Sequence, residues 1–104
     1  MTERRPIWEE EGEVQERVRT RRPRMYKVLL HNDDYTTMEF VVWLLMEVFH
    51  KTRAEATTIM LHVHHRGIGV CGVYTREVAE TKVDRATRLA REHGHPLLVT
   101  MEAA

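Results

Sequence analysis

The stretch Tyr26-Lys27-Val28-Leu29-Leu30-His31-Asn32-Asp33-Asp34-Tyr35-Thr36-Thr37-Met38-Glu39 passes from strand to turn to helix without a break. Tyr26 to Leu30 is rich in β-favouring and apolar side chains. Asn32-Asp33-Asp34 ends that run, because short polar side chains bond back to their own backbone and stabilise a turn. Thr36, with Glu39 three residues later, reads as a capping box and places a helix start at about Thr37. Met38, Val41, Val42, Leu45 and Phe49 then fall on one helical stripe.

Beyond this helix, Thr52 and Glu55 form a second capping box. In the helix it opens, Ala56, Ile59, Met60 and Val63 share one face, while Glu55, Thr58, His62 and His65 share the opposite one. Gly67 to Tyr74 reads as a strand whose three glycines point to a bulge or a close backbone approach. Thr75 can cap a third helix, with Glu77 near its positive end. Gly94 stops that helix, and Pro96 leads into a last strand, Pro96 to Met101. The order β-α-α-β-α-β implies an α+β fold: a three-stranded antiparallel sheet with three helices packed on one face.

Residues 1–24 differ in kind. They hold six glutamates and seven arginines, with only Ile7, Trp8, Val14 and Val18 as sizeable apolar groups. Such a stretch cannot bury enough surface to offset its ordering entropy. The expectation is a disordered tail over 1–24 and one compact domain over 25–104. The 16 basic and 16 acidic residues cancel, which argues against a nucleic-acid partner. Cys71 is the single cysteine, so no intrachain disulfide can form, and a reducing cytoplasm fits. The longest apolar run, around Phe40 to Phe49, is too short to span a bilayer, and the N-terminus has no apolar signal core.

Several constellations could carry chemistry. Asn32-Asp33-Asp34 is either an ordinary turn or an acceptor-rich rim suited to a cation such as an ammonium group. Within it, Asp34 is placed to serve the helix entry, leaving Asn32 and Asp33 to look outward. Met60, Val63 and His64 share a helix face. His64 is thus either a core-edge histidine or a lone pair offered at the mouth of an apolar pocket. The run His62-x-His64-His65 invites a metal reading, but His62 and His64 project about 200° apart on a helix. Only His62 and His65 share a side, so no metal or other cofactor is expected. Cys71, between Val70 and Gly72, reads as a packing thiol. No nucleophile elbow, phosphate loop or convincing carboxylate pair is present, so no enzyme is expected. Lys82 sits at the edge of an apolar sector, either snorkelling over the core rim or forming an interaction surface with Glu77. Trp43 and Met46 project among Glu39 and Glu47 as a small exposed patch or as partly buried groups.

Met25 to Phe40, Cys71 to Val83, Met60-Leu61-His62-Val63-His64 and His95-Pro96-Leu97 together resemble the ClpS family, bacterial adaptors that deliver N-degron substrates to the Clp protease. The resemblance runs from about Arg24 to Glu102. It implies a site for the free amino group and bulky first residue (Leu, Phe, Tyr or Trp) of an N-degron polypeptide. Asn32 and His64 would bond the amine, with Asp33 assisting. Leu30, Thr36, Met38, Val41, Met60, Val63 and Leu97 would line the side-chain pocket, Met38 gating against β-branched residues. Glu77 and Lys82 would dock on the N-terminal domain of the ClpA unfoldase, and the tail would assist handover by a monomeric adaptor. The chain departs from the family pattern at Thr37, where many members have proline. Trp43 and Met46 replace residues usually more polar, and His31 and His65 are less common choices. The rival readings are a metal-dependent or metal-storage protein and a general interaction scaffold indifferent to the first residue of its partner.

Overall fold

The computed structural model describes residues 23–104; residues 1–22, which hold nearly all of the tail expected from the sequence, lie outside the described residues. The elements are β1 (Met25–His31), α1 (Met38–Phe49), α2 (Arg53–Arg66), β2 (Ile68–Thr75), α3 (Arg76–Glu92) and β3 (Leu98–Ala103). The expected order and the α+β class are therefore observed. β1 is central in a sheet of order β2-β1-β3, antiparallel on both sides. Val28 lies opposite Gly72 and Met101, and Leu30 opposite Gly69 and Val99. Between Val28 and Leu29 the partner on β2 jumps from Gly72 to Val70, so Cys71 is the extra residue of a β-bulge.

Strand alternation sends Val28 and Leu30 to the helix side, where both are fully buried in the core cluster that also holds Leu44, Leu45 and Val48 of α1. α3 meets this core through Ala79, Ala86 and Ala90, small residues that let a helix lie close. Each fully buried Leu or Val contributes about 1.5–3 kcal/mol relative to exposure.

The helix ends obey local chemistry, with one change from expectation. The N-cap of α1 is Thr37, not Thr36: the Thr37 hydroxyl accepts the Phe40 amide at 3.1 Å. Thr36 is unavailable because its own hydroxyl donates to the Asp33 carboxylate at 2.7 Å. Thr37 thereby supplies a side-chain cap that a proline at this position would lack. The second box forms as read, with Thr52 and Glu55 bonding reciprocally at 2.9 and 3.1 Å. Thr75 has N-cap backbone geometry but makes no capping bond through its side chain. α1 closes on His50, a non-glycine residue in the left-handed region at φ 54°. No helix among the described residues is long and apolar enough to cross a membrane.

Candidate functional site

The site begins with a backbone bond that joins distant elements. α2 ends at Gly67, whose φ of 89° is open to glycine at little cost. The Gly67 amide donates to Val63 at 2.8 Å, and its carbonyl accepts the Asn32 amide, also at 2.8 Å. The loop after β1 is thereby fastened to the C-terminal end of α2, the turn that carries His64. Two residues on, β2 passes so close to α2 that a Cβ at Gly69 would stand 2.7 Å from a methyl of Val63.

A cavity of about 240 Å³ opens at this junction. Its polar border is Asn32, Asp33, Asp34, Thr36 and His64, and its apolar border is Met38, Val41, Met60 and Val63. Val41 and Val63 are buried and belong to the core, whereas Met38, the first helical residue of α1, is 44% exposed. None of the bordering residues is Lys or Arg, and the Asn32, Asp33, Asp34 and Thr36 side-chain oxygens supply acceptors at the mouth. Such a mouth suits a compact cation carrying an apolar appendage.

Asp33 holds the loop together. Its Oδ1 accepts the amides of Tyr35 at 2.8 Å and Thr36 at 2.7 Å, and its Oδ2 accepts the Thr36 hydroxyl. Burial by itself raises the Asp33 carboxyl. The hydrogen bonds from Thr36 and Tyr35, with the nearby His95 imidazole, more than offset it and hold the group below 3.8. The helix-entry role read for Asp34 thus falls to Asp33, while Asp34 stays exposed on the cavity border. The sequence carries a signal for this: Asp33 lies two and three residues before the amides it accepts, the spacing of an Asx turn.

Not every residue expected in the pocket borders it. Leu30 and Leu97 are 0% and 1% exposed and lie in the core cluster with Val41 and Val63, outside the cavity lining. Glu77 is exposed in the first turn of α3. Lys82 is half-buried, donates to the Val48 carbonyl at 2.6 Å and lies 5.7 Å from the Tyr74 ring centre. It therefore terminates α1 as well as presenting charge, and burial, with Arg85 adding, lowers its pKa. Cys71 is 1% exposed and its thiol is pushed up to about 12 by burial. Trp43 is 39% exposed, and Met46 is partly buried against the core. Among the described residues, no three His, Cys, Asp or Glu side chains converge as a metal site would require.

Known proteins resemble this chain closely. Residues 21–100 match the family described as the ATP-dependent Clp protease adaptor protein ClpS. The ATP-dependent Clp protease adapter protein ClpS of Lawsonia intracellularis is 63% identical over 89 residues, covering 86% of this chain and 80% of its own length. Its counterpart in Nitratidesulfovibrio vulgaris is 65% identical over 82 residues, 79% of this chain and 82% of the relative. The structure of Agrobacterium tumefaciens ClpS2 bound to L-phenylalaninamide superposes with a TM-score of 0.77 at 43% identity, over 80% of this chain and 100% of that one. The chain belongs to the ClpS family, a family of adaptors and not of enzymes.

Proposed function

We propose that this ClpS-family chain binds the free amino terminus and bulky apolar first residue of N-degron polypeptides and delivers them to a Clp protease through the ClpA unfoldase. One observation carries the reading: Asn32, Asp33 and His64 meet at the mouth of a cavity walled by Met38, Val41, Met60 and Val63. Asn32 and His64 bond the ammonium, and Asp33, already committed to its own loop, supplies negative charge and further lone pairs beside it. Leu, Phe, Tyr or Trp fills the cavity, and Met38 excludes β-branched residues. L-phenylalaninamide, the ligand of the Agrobacterium relative, has the same two parts: a free amine and a large apolar side chain.

The magnitudes are sufficient. Each hydrogen bond to the charged amine contributes about 1.5–3 kcal/mol, and burying a Leu- or Phe-sized side chain a similar amount. Association entropy offsets much of this, leaving affinity of roughly micromolar order. Glu77 and the exposed side of Lys82 would contact the ClpA N-terminal domain, and residues 1–24 would take part in handover, the adaptor acting as a monomer in the cytoplasm.

The test is fluorescence anisotropy on the full chain with peptides beginning in Leu, Phe, Tyr, Trp, Ile, Val or Ser, each free and acetylated. The free peptides with the first four residues should bind and their acetylated forms should not. Equal binding of the acetylated forms would leave only a scaffold indifferent to the amino terminus.

A further inference from the structure

The degron cavity has a neighbour. Met38 and Met60 border both that cavity and a larger groove of about 520 Å³ between α1 and α2. α1 contributes Val42, Trp43 and Met46 to the groove, and α2 contributes Arg53 and Thr57. Single exposed apolar residues are ordinary on a surface, but here Met38 and Trp43, 44% and 39% exposed, adjoin half-buried Val42 and Met46 in one concavity. Trp43 is also held in place. Its ring lies 5.6 Å from that of Phe40 and 5.1 Å from that of His93, so little side-chain freedom remains to be lost on binding.

We propose that this groove is a second subsite for the same polypeptide, taking a large apolar side chain from its third or fourth residue. The inference rests on the reading of the first cavity, with which the groove is continuous through two shared side chains. A chain whose first side chain occupies the small cavity reaches the groove by crossing the exposed Met38. From Met38 to Met46 the helix rises about 12 Å, at 1.5 Å per residue. An extended polypeptide advances roughly 3.3–3.6 Å per residue, so its third and fourth residues lie about 7–11 Å beyond the first, between Val42 and Met46. Glu39 and Glu47 on α1 and Arg53 on α2 stand around the groove, so its rim carries both signs and an uncharged occupant suits its floor. The subsite would add selectivity for the third and fourth residues of the polypeptide, beyond recognition of the amine.

The test uses the full chain carrying Trp8→Phe, which leaves Trp43 as its single tryptophan. Three probes are compared: L-phenylalaninamide, Phe-Ser-Leu-Leu-Ser-Lys and Phe-Ser-Ser-Ser-Ser-Lys, the hexapeptides labelled at Lys. The leucine peptide should bind about tenfold more tightly than the serine peptide, the worth of one partly buried side chain. It should shift Trp43 emission, which L-phenylalaninamide should not. Trp43→Ala and, separately, Met46→Gln should abolish the difference between the hexapeptides while leaving L-phenylalaninamide affinity within about twofold. If Trp43→Ala disturbs folding, the Met46→Gln result decides. Equal affinity for the two hexapeptides, with L-phenylalaninamide bound, overturns the subsite alone. Failure of all three to bind removes the first-cavity reading and this one with it.

Discussion

Asp33 shows how one side chain can order a loop and border a cavity together. Two amides and one hydroxyl converge on its carboxylate, and Asp34, one residue along, makes none of these bonds. Because the folded carboxyl titrates below 3.8, its stabilising effect is fully present above that value and is lost as pH falls through the folded pKa. Asp33→Asn should therefore destabilise the domain by about 1 kcal/mol at pH 6, since an amide nitrogen cannot accept the Thr36 hydroxyl. Urea titrations at pH 6 and pH 3 check this: the gap between wild type and variant should narrow at the lower pH. A gap that does not change would mean the charge contributes nothing. Met38 is the other decisive single residue. On the proposed function, Met38→Ala widens the cavity, so peptides beginning with Ile or Val should gain about tenfold in affinity, the scale of a methylene-sized discrimination. Anisotropy with those peptides measures it, and unchanged discrimination removes Met38 as the gate.

At the scale of elements, the helix termini explain most of the local geometry. α1 starts one residue later than the Thr36–Glu39 pattern implies, because Thr36 is drawn to Asp33 and Thr37 takes over the cap. A short pattern could not rank two adjacent threonines; the neighbouring carboxylate did. The far end of α1 is held by Lys82 of α3, whose ammonium meets the Val48 carbonyl, so the residue expected to dock a partner also fastens two helices. Lys82→Met keeps the apolar stem over Tyr74 and removes the bond. Thermal or chemical denaturation should show a loss of about 1 kcal/mol, discounted for partial exposure. A variant of unchanged stability that loses its Clp partner would assign Lys82 to docking alone.

Across the whole molecule, one core serves both the sheet and the cavity. Leu30 and Leu97, read from the sequence as pocket residues, are buried in that core, and Val41 and Val63 alone belong to both. Cys71, the bulged residue of β2, lies in the same core, so its labelling reports the opening of the domain as a unit. With its thiol pushed up to about 12, it should resist a thiol reagent at pH 8 until denaturant unfolds the chain. Rapid native labelling would show that β2 opens on its own. Element order, strand alternation and the glycine stop at Gly94 were legible in the sequence, since each depends on residues within a turn or two of one another. Gly67, read as the first residue of a strand, is instead the left-handed cap of α2. The motif resemblance named the residues of the proposed amine site without saying how they come together. That juxtaposition is tertiary: Asn32 and His64 border one cavity, and the Asn32 amide bonds the Gly67 carbonyl at the end of the helix that carries His64. The same docking set Met38 and Met60 as a wall between two concavities, a relation no local spacing encodes because it depends on how α1 and α2 pack.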